Sequence, residues 1–177
     1  IPKHVKDATI AIEDKDFYKH GAIDLRAILR SIVAIVFRHE VQGGSTITQQ
    51  LVKNSLLTPE RTILRKIKEV ILSFATEAIY SKDKILEMYL NQVPYGGTAW
   101  GIEAASQSYF GKSATKLSLS EGALLAGLPE SPTTYSPFGS RPELSYKRQK
   151  EVLQNMLKQK YIRSYEYQKA LKEEVLF

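Results

Sequence analysis

The feature that most constrains the fold is a helical spacing of apolar residues that no strand-like alternation interrupts. Ile63, Ile67, Val70 and Phe74 stand at i, i+4, i+7 and i+11, which predicts one apolar stripe on a helix. Start and stop signals divide nearly all of the chain into such segments. The predicted helices span about 2–14, 24–37, 46–56, 59–79, 82–91, 98–111, 118 to just before Pro129, 142–159 and 164–174.

Local capping patterns set several of these boundaries. Thr58 followed by Pro59 is a helix start, and Ser118 with Glu121 is a capping box. Ser81 and Thr98 are the other predicted starts, and Gly111 is a predicted stop. The segment 131–142 is an irregular connection, and short hairpins near 38–44 or 92–98 stay open. The chain of 177 residues is predicted to be one mainly α domain, 1–177.

The net charge of the chain limits the classes of binding partner that it favours. The 25 Lys and Arg residues exceed the 19 Asp and Glu residues, a net charge of +6, which favours nucleic acid, a phosphorylated substrate or an acidic membrane. The absence of cysteine excludes disulfides and thiolate metal sites. No uncharged apolar run reaches the length of a membrane span, and no signal peptide is visible. The abrupt start at Ile1 is compatible with a fragment trimmed of a leader or anchor.

A basic cluster marks the predicted helix 59–79. Arg61, Arg65 and Lys68 share one face, Lys66 lies beside it, and Lys53 is just upstream. Cations near a helix N-terminus oppose the macrodipole and repel one another, so an anion bound against them would relieve the repulsion. The pattern is equally compatible with a solvated cationic face.

Two further features contain polar groups suited to a sugar phosphate. The segment GGSTITQQ at 43–50 lets the backbone approach a ligand, and Gln49 and Gln50 offer donors and acceptors to hydroxyls, although an ordinary helix cap has the same pattern. Glu13 and Asp14 end the first helix before Phe17 and His20. A carboxylate beside an aromatic and apolar wall can serve as a base. Together with a second carboxylate, Glu69, and the cations, these residues indicate transfer of a sugar from a phosphate leaving group.

Four ordered motifs identify a family. They read EDKDFYKHG at 13–21, GGSTITQQLVKN at 43–54, RKIKE at 65–69, and KILEMYLNQV at 84–93 followed by PYG. In this order and spacing they make the chain resemble the peptidoglycan glycosyltransferases, which occur as monofunctional enzymes and as the first domain of class A penicillin-binding proteins. The resemblance covers nearly the whole chain.

The resemblance implies a fold and a reaction. The fold is mainly α and lysozyme-like, with two lobes, a head and a membrane-facing jaw. The reaction polymerises lipid II into β-1,4-linked glycan strands with inversion and release of undecaprenyl pyrophosphate. Glu13 is the general base that deprotonates the acceptor 4-hydroxyl. A pyrophosphate is a good leaving group that mainly needs its charge stabilised, so one base and many cations suffice.

Further residue roles follow from the same resemblance. The pyrophosphate-binding set is Lys53, Arg61 and Lys68, with Arg30, Arg65 and Lys66 as weaker candidates. Glu69 is the second catalytic acid. The sugar cleft is lined by Ser45, Gln49, Gln50 and Asn91, and Asp14, Phe17 and His20 support the first motif.

The resemblance also predicts the surroundings of the enzyme. It implies no required cofactor; some members use a divalent cation, Mg or Mn, and no metal site is visible in the sequence. The expected partners are lipid II, the growing lipid-linked strand and the bacterial membrane, not nucleic acid, with a transpeptidase domain or other cell-wall synthesis proteins nearby. The expected location is the extracytoplasmic face of the bacterial cytoplasmic membrane.

One departure and two rivals remain open. Residues 37–42 read FRHEVQ, where many relatives have an Ala-Gly-Arg type of sequence, so acceptor handling there is the least secure inference. The apolar stretch 27–37 fits a buried helix or one at the membrane interface, and the resemblance favours the interface. The rivals are a lysozyme-like glycan hydrolase and a non-catalytic basic helical module that binds membrane or nucleic acid.

Overall fold

The computed structural model describes residues 1–25, 44–57 and 62–177. Within these ranges the chain is helical, and the single β-bridge, between Pro94 and Trp100, belongs to no strand. The prediction of a mainly α protein is therefore confirmed. The helices are α1 (Lys3–Glu13), α2 (Ile47–Leu56), α3 (Ile63–Ile79), α4 (Lys82–Gln92), α5 (Ile102–Phe110), a short 3₁₀ helix (Ala114–Lys116), α6 (Leu119–Ala126), α7 (Glu143–Lys158) and α8 (Ser164–Lys172).

The chain folds into two compact units. The first unit comprises Ile1–Lys15 and Leu90–Phe177, and the second unit comprises Asp16–Tyr89. The second unit therefore contains α2, α3 and most of α4, whereas α1 and the helices from α5 onward belong to the first unit.

The core of the first unit forms around α6, which contacts α1, α7 and α8. Small residues bring these helices together: Ala8 and Ala11 of α1 belong to the same buried cluster as Ala123 of α6. A Cβ atom added to Gly122 would lie 3.0 Å from Val5 Cγ2, so a larger residue would push α1 away. This packing fixes α1, and with it the helix end at Glu13.

A tight turn at 93–101 replaces the start of a predicted helix. The amide of Tyr95 donates to the Ala99 carbonyl at 2.9 Å, and the amide of Gly101 donates to the Val93 carbonyl at the same distance. Gly101 has φ +81°, and a Cβ there would lie 2.5 Å from the Asn91 carbonyl oxygen. Because 93–101 forms this turn, α5 begins at Ile102 and the predicted start at Thr98 is wrong.

In the second unit, α3 has an unusual distribution of polarity. Its buried residues are Glu69 and Ser73, at 1% and 0% exposure. Residues of the predicted apolar stripe, Ile63, Ile67 and Phe74, are 83%, 51% and 55% exposed. An amphipathic helix ordinarily buries its apolar side. Here the polar side packs inward because each buried polar group has a partner, as described below.

Another predicted start is wrong: the helix predicted over 59–79 begins at Ile63, because Thr62 is extended and forms its N-cap. The remaining predicted boundaries agree closely with the structure where it describes them. Thr46 caps α2 in a capping box with Gln49, and Ser118 caps α6 in one with Glu121. Gly111 ends α5 in the left-handed conformation. The N-cap of α3 is Thr62, whereas the predicted cap Thr58 lies outside the described residues. The predicted helix 24–37 and the loop 38–44 lie largely outside them as well. The described part of the chain contains no helix whose length and hydropathy suit a membrane-spanning segment.

We expect Gly101→Ala to lower the free energy of unfolding by at least about 3 kcal/mol, because the new Cβ meets backbone at a positive φ. Gly111→Ala is the matched control: its φ is +62° but nothing lies within 4 Å of an added Cβ. It should cost only about 1–2 kcal/mol. Urea unfolding of both variants measures the difference, and equal losses would show that the Asn91 carbonyl moves away without cost.

Candidate active site

Glu13 is the last residue of α1, in the first unit. It is half-buried, and its Oε1 atom is fully enclosed. Asp14, the C-cap of α1, is 8% exposed. Burial raises the pKa of the Tyr95 hydroxyl far above its usual value, and the nearby charge of Glu13 raises it further. A carboxylate beside an enclosed, neutral phenol is therefore the main feature at this helix end.

Phe17 and His20 lie in the loop that follows, in the second unit. Phe17 is fully buried, and the centre of its ring lies 4.5 Å from the Lys82 ammonium group. His20 donates from Nδ1 to the Gly21 carbonyl at 2.6 Å. His20 also lines a cavity of about 290 Å³ together with Asp16, Lys19, Ile23, Asp24 and Leu25.

A second carboxylate, Glu69, is buried within a cationic cluster on α3. Arg65 donates from an Nη atom to Glu69 Oε2 at 3.1 Å, and Lys66 pairs with Glu69 Oε1. Lys66 Nζ also lies 3.5 Å from the Ser45 hydroxyl. Two cations around one carboxylate leave the cluster with a net charge of +1. The structure thus brings together Ser45, Arg65, Lys66 and Glu69.

This cluster changes the interpretation of the basic residues. The expected mutual repulsion of Arg65 and Lys66 is compensated by an anion of the protein itself, Glu69. Lys53 and Lys68 differ, because both are exposed and neither forms an ion pair within the described residues. Of the predicted cations with described positions, Lys53 and Lys68 are therefore the ones available to an external anion.

The polar residues predicted to line a sugar cleft have contacts of their own. Gln49 is 3% exposed, and its Oε1 accepts from the Thr46 amide at 2.9 Å, so this oxygen caps the helix. Gln50 accepts from the Tyr89 hydroxyl at 3.1 Å. Asn91 is exposed, in the first unit. The sugar-binding roles of these residues stay predictions.

Two of the predicted site residues lie outside the part of the chain that the structure describes. Arg30 and Arg61 fall at positions that the structure does not describe. In the described ranges, no group of three or more His, Cys, Asp or Glu residues could hold a metal ion. The described donors therefore supply no site for the divalent cation that the resemblance allows.

Three residues near the predicted site residues, Tyr95, Glu77 and Lys82, have no role predicted from the sequence. Tyr95 lies near enough to Glu13 for the charge of Glu13 to raise the pKa of the Tyr95 hydroxyl. Its signal in the sequence was the PYGG segment, whose glycines permit a tight turn. Glu77 and Lys82 join the Phe17 loop to α2. No local pattern marks this pair, because its partners are distant in sequence.

The chain is similar in sequence to known proteins over most of its length. The model of the family described as Transglycosylase matches residues 1–157. Penicillin-binding protein 1A of Aquifex aeolicus is 50% identical over 172 residues, which cover 97% of this chain and 24% of that protein. Penicillin-binding protein 1F of Bacillus subtilis is 50% identical over 163 residues, 92% of this chain and 23% of that protein.

A solved structure shows the same relationship. The crystal structure of penicillin-binding protein 1A from Haemophilus influenzae matches with a TM-score of 0.59 and 30% identity, over 99% of this chain and 17% of that one. The chain belongs to the transglycosylase family, so the predicted family and the predicted enzyme class, a transglycosylase, are confirmed. It spans about a quarter of the length of the curated relatives it matches.

We expect Glu69→Gln to lower the free energy of unfolding by about 2 kcal/mol, because Arg65 and Lys66 lose a charged acceptor at a buried position. The control is Glu87→Gln, which breaks the exposed Lys84–Glu87 pair. That change should cost less than about 0.5 kcal/mol. Urea unfolding at pH 7 measures both, and a Glu69→Gln loss as small as that of the control would contradict a buried charge cluster.

Proposed function

We propose that the chain is a peptidoglycan glycosyltransferase that polymerises lipid II, with Glu13 as general base. The observation that carries this proposal is the family match over residues 1–157, which contains all four motifs. The setting of Glu13 supports it: the residue ends a helix fixed by core packing and lies beside an enclosed phenol.

In the proposed step, the Glu13 carboxylate removes the proton from the 4-hydroxyl of the acceptor sugar. The hydroxyl oxygen attacks the anomeric carbon of the donor strand, and the bond from that carbon to the pyrophosphate oxygen breaks. Attack from the opposite side turns an α-linked pyrophosphate into a β-1,4 bond. Undecaprenyl pyrophosphate leaves with the bonding electrons, and the proton stays on Glu13 until solvent removes it.

The proposed cations act on the leaving group. Lys53 and Lys68 are exposed cations without an ion-pair partner in the described part of the chain, and Arg61 joins them by the motif match. Their charge would stabilise the pyrophosphate as it departs, so no general acid is needed. Glu69 would act by holding Arg65 and Lys66 in fixed positions. No step is assigned to a divalent cation, and a transpeptidase domain or another cell-wall protein as a partner stays a prediction.

The proposed place of the enzyme is the bacterial cytoplasmic membrane, on the extracytoplasmic face where lipid-linked substrate would be used. The exposed side of α3 supports membrane contact, since Ile63, Leu64, Ile67, Ile71 and Phe74 are each at least 51% exposed. An exposed apolar surface of this kind marks an interaction site. A helix that lies in the interface needs no membrane-spanning length.

Replacing Glu13 by Gln tests the base. We expect the rate of lipid II polymerisation to fall by about 10²–10⁴-fold while the circular dichroism spectrum stays unchanged. Asp7→Asn is the control, because Asp7 is a carboxylate of the same helix paired with the exposed Lys3. A Glu13→Gln rate within threefold of wild type would refute the assignment.

The same preparations separate the rival functions. Cleavage of finished glycan without polymer formation would favour a lysozyme-like hydrolase. Salt-sensitive binding to nucleic acid that does not depend on Glu13, without any polymerisation, would favour a basic binding module.

Removing the charge of Lys53 tests the pyrophosphate role. We expect Lys53→Met to raise KM for lipid II about tenfold, the effect of losing one charge-assisted hydrogen bond. The decrease of kcat/KM with added salt should also become less steep. Lys169→Met removes one charge from an exposed site on α8 and should change neither quantity. If both variants respond to salt in the same way, Lys53 acts only through net charge.

Membrane contact through α3 is tested by flotation with vesicles of phosphatidylethanolamine and phosphatidylglycerol. The double variant Ile67→Asn/Ile71→Asn should lower the partition coefficient by about 10–100-fold, because two apolar side chains are lost from the interface. Leu176→Asn, which alters a 71% exposed residue of the first unit, should have little effect. Equal binding of all three proteins would place the membrane contact elsewhere.

A further inference from the structure

Outside the four motifs, the second unit contains a polar network centred on Glu77 of α3 and Lys82 of α4. The ammonium group of Lys82 donates to Glu77 Oε1 at 2.7 Å, and the Thr48 hydroxyl donates to the same oxygen at 2.6 Å. The side chains of Lys82 and Glu77 are only 21% and 14% exposed, and Thr48 is fully buried. This is a largely enclosed ion pair with an additional hydrogen bond, not a surface pair.

The same lysine contacts the loop 16–22, which belongs to the first motif. Its ammonium group lies 4.5 Å from the centre of the buried Phe17 ring and 3.5 Å from the Gly21 carbonyl oxygen. The ring face attracts a cation, and the carbonyl accepts a hydrogen bond from it. A Cβ added to Gly21 would lie 3.9 Å from Glu77 Oε2, so the carboxylate lies close to the loop backbone, with room for a methyl group between them.

Two neighbouring contacts attach this loop to α2 and α4. The Thr46 hydroxyl, at the start of α2, donates to the Ala22 carbonyl at 2.9 Å. The Tyr18 hydroxyl donates to Asp83 Oδ1 at 2.7 Å. The part of the first motif that belongs to the second unit is therefore held to the second motif, and side chains at the α3–α4 junction contribute to this attachment.

We infer that Glu77 and Lys82 are positioning residues for glycosyl transfer: they fix loop 16–22 against the start of α2, so that Phe17 and His20 of this loop and the residues of the second motif meet the substrate in one arrangement. The inference rests on the proposed function for its catalytic consequence. Apolar residues could stabilise this junction equally well, since a buried ion pair is not by itself a stability device. A lysine with a carboxylate, a carbonyl and a ring face as partners fixes orientation as well as contact.

The test compares Lys82→Met with a variant of the same substitution at a matched ion pair. Lys112 pairs with Glu121 at 2.7 Å in the first unit, with side chains 33% and 10% exposed. We expect Lys82→Met and Lys112→Met to shift the urea midpoint by similar amounts. Only Lys82→Met should lower kcat for lipid II polymerisation, by about tenfold or more, with KM changed less than threefold.

Two further variants keep the inference falsifiable. Lys82→Arg retains a cation at the ring face and should recover kcat to within about fivefold of wild type. Glu77→Gln retains the acceptor for Thr48 and should lower kcat about threefold or more. If Lys82→Met does not fold, the Glu77→Gln variant serves as the test in its place. Unchanged kcat in Lys82→Met or in Glu77→Gln, or equal kcat losses in the Lys82 and Lys112 variants, would overturn the positioning role.

Hydrogen exchange separates this inference from the proposed function. In Lys82→Met the amides of residues 17–22 should exchange at least about tenfold faster than in wild type, while in Lys112→Met they should not. This measurement needs no substrate. If the wild-type protein made no polymer, the proposed function would be refuted. Unchanged hydrogen exchange in Lys82→Met would separately refute the positioning of loop 16–22 by Lys82.

Discussion

The polar inner side of α3 is the constraint on which the second unit depends. Glu69, Ser73 and Glu77 follow one another at intervals of four residues and therefore lie along one side of the helix. Each has a partner: Glu69 pairs with Arg65 and Lys66, the Ser73 hydroxyl donates to the Glu69 carbonyl at 2.6 Å, and Glu77 accepts from Thr48 and Lys82. Buried charges are tolerated only with such compensation. Because this side faces inward, the apolar side of α3 is left exposed.

The same arrangement separates two kinds of cation. Arg65 and Lys66 pair with a buried carboxylate. Lys53 and Lys68 are exposed and form no ion pair within the described ranges. A transferase that displaces a pyrophosphate benefits from both, since ordered charges preorganise a site and exposed ones meet the incoming anion. The acid–base work then needs only one carboxylate, for which Glu13 is the candidate.

Much of the helical architecture followed from local sequence signals. The predicted capping box of Ser118 with Glu121 depends on residues three positions apart, so the sequence contains all of its atoms. The box of Thr46 with Gln49 has the same spacing but was not predicted, because the preceding Gly-Gly-Ser segment offered another cap. Gly111 ends α5 for a local reason too, since the left-handed conformation suits glycine. The predicted start of α5 at Thr98 is wrong because the competing turn at 93–101 requires Gly101 to pack on the Asn91 carbonyl, a contact that residue spacing does not reveal.

By itself, the sequence determined the mainly helical fold, the family and the identity of Glu13 as the candidate base, because periodicity, caps and ordered motifs are all contained in the order of residues. Only the tertiary structure decided that the polar side of α3 is buried, that Glu69 pairs with both Arg65 and Lys66, and that the charge of Glu13 acts on the buried Tyr95 hydroxyl. It alone revealed the junction of Glu77 and Lys82 with loop 16–22. The physical reason is that burial and pairing depend on which segments meet in space, and those segments are separated here by up to about 80 residues of chain.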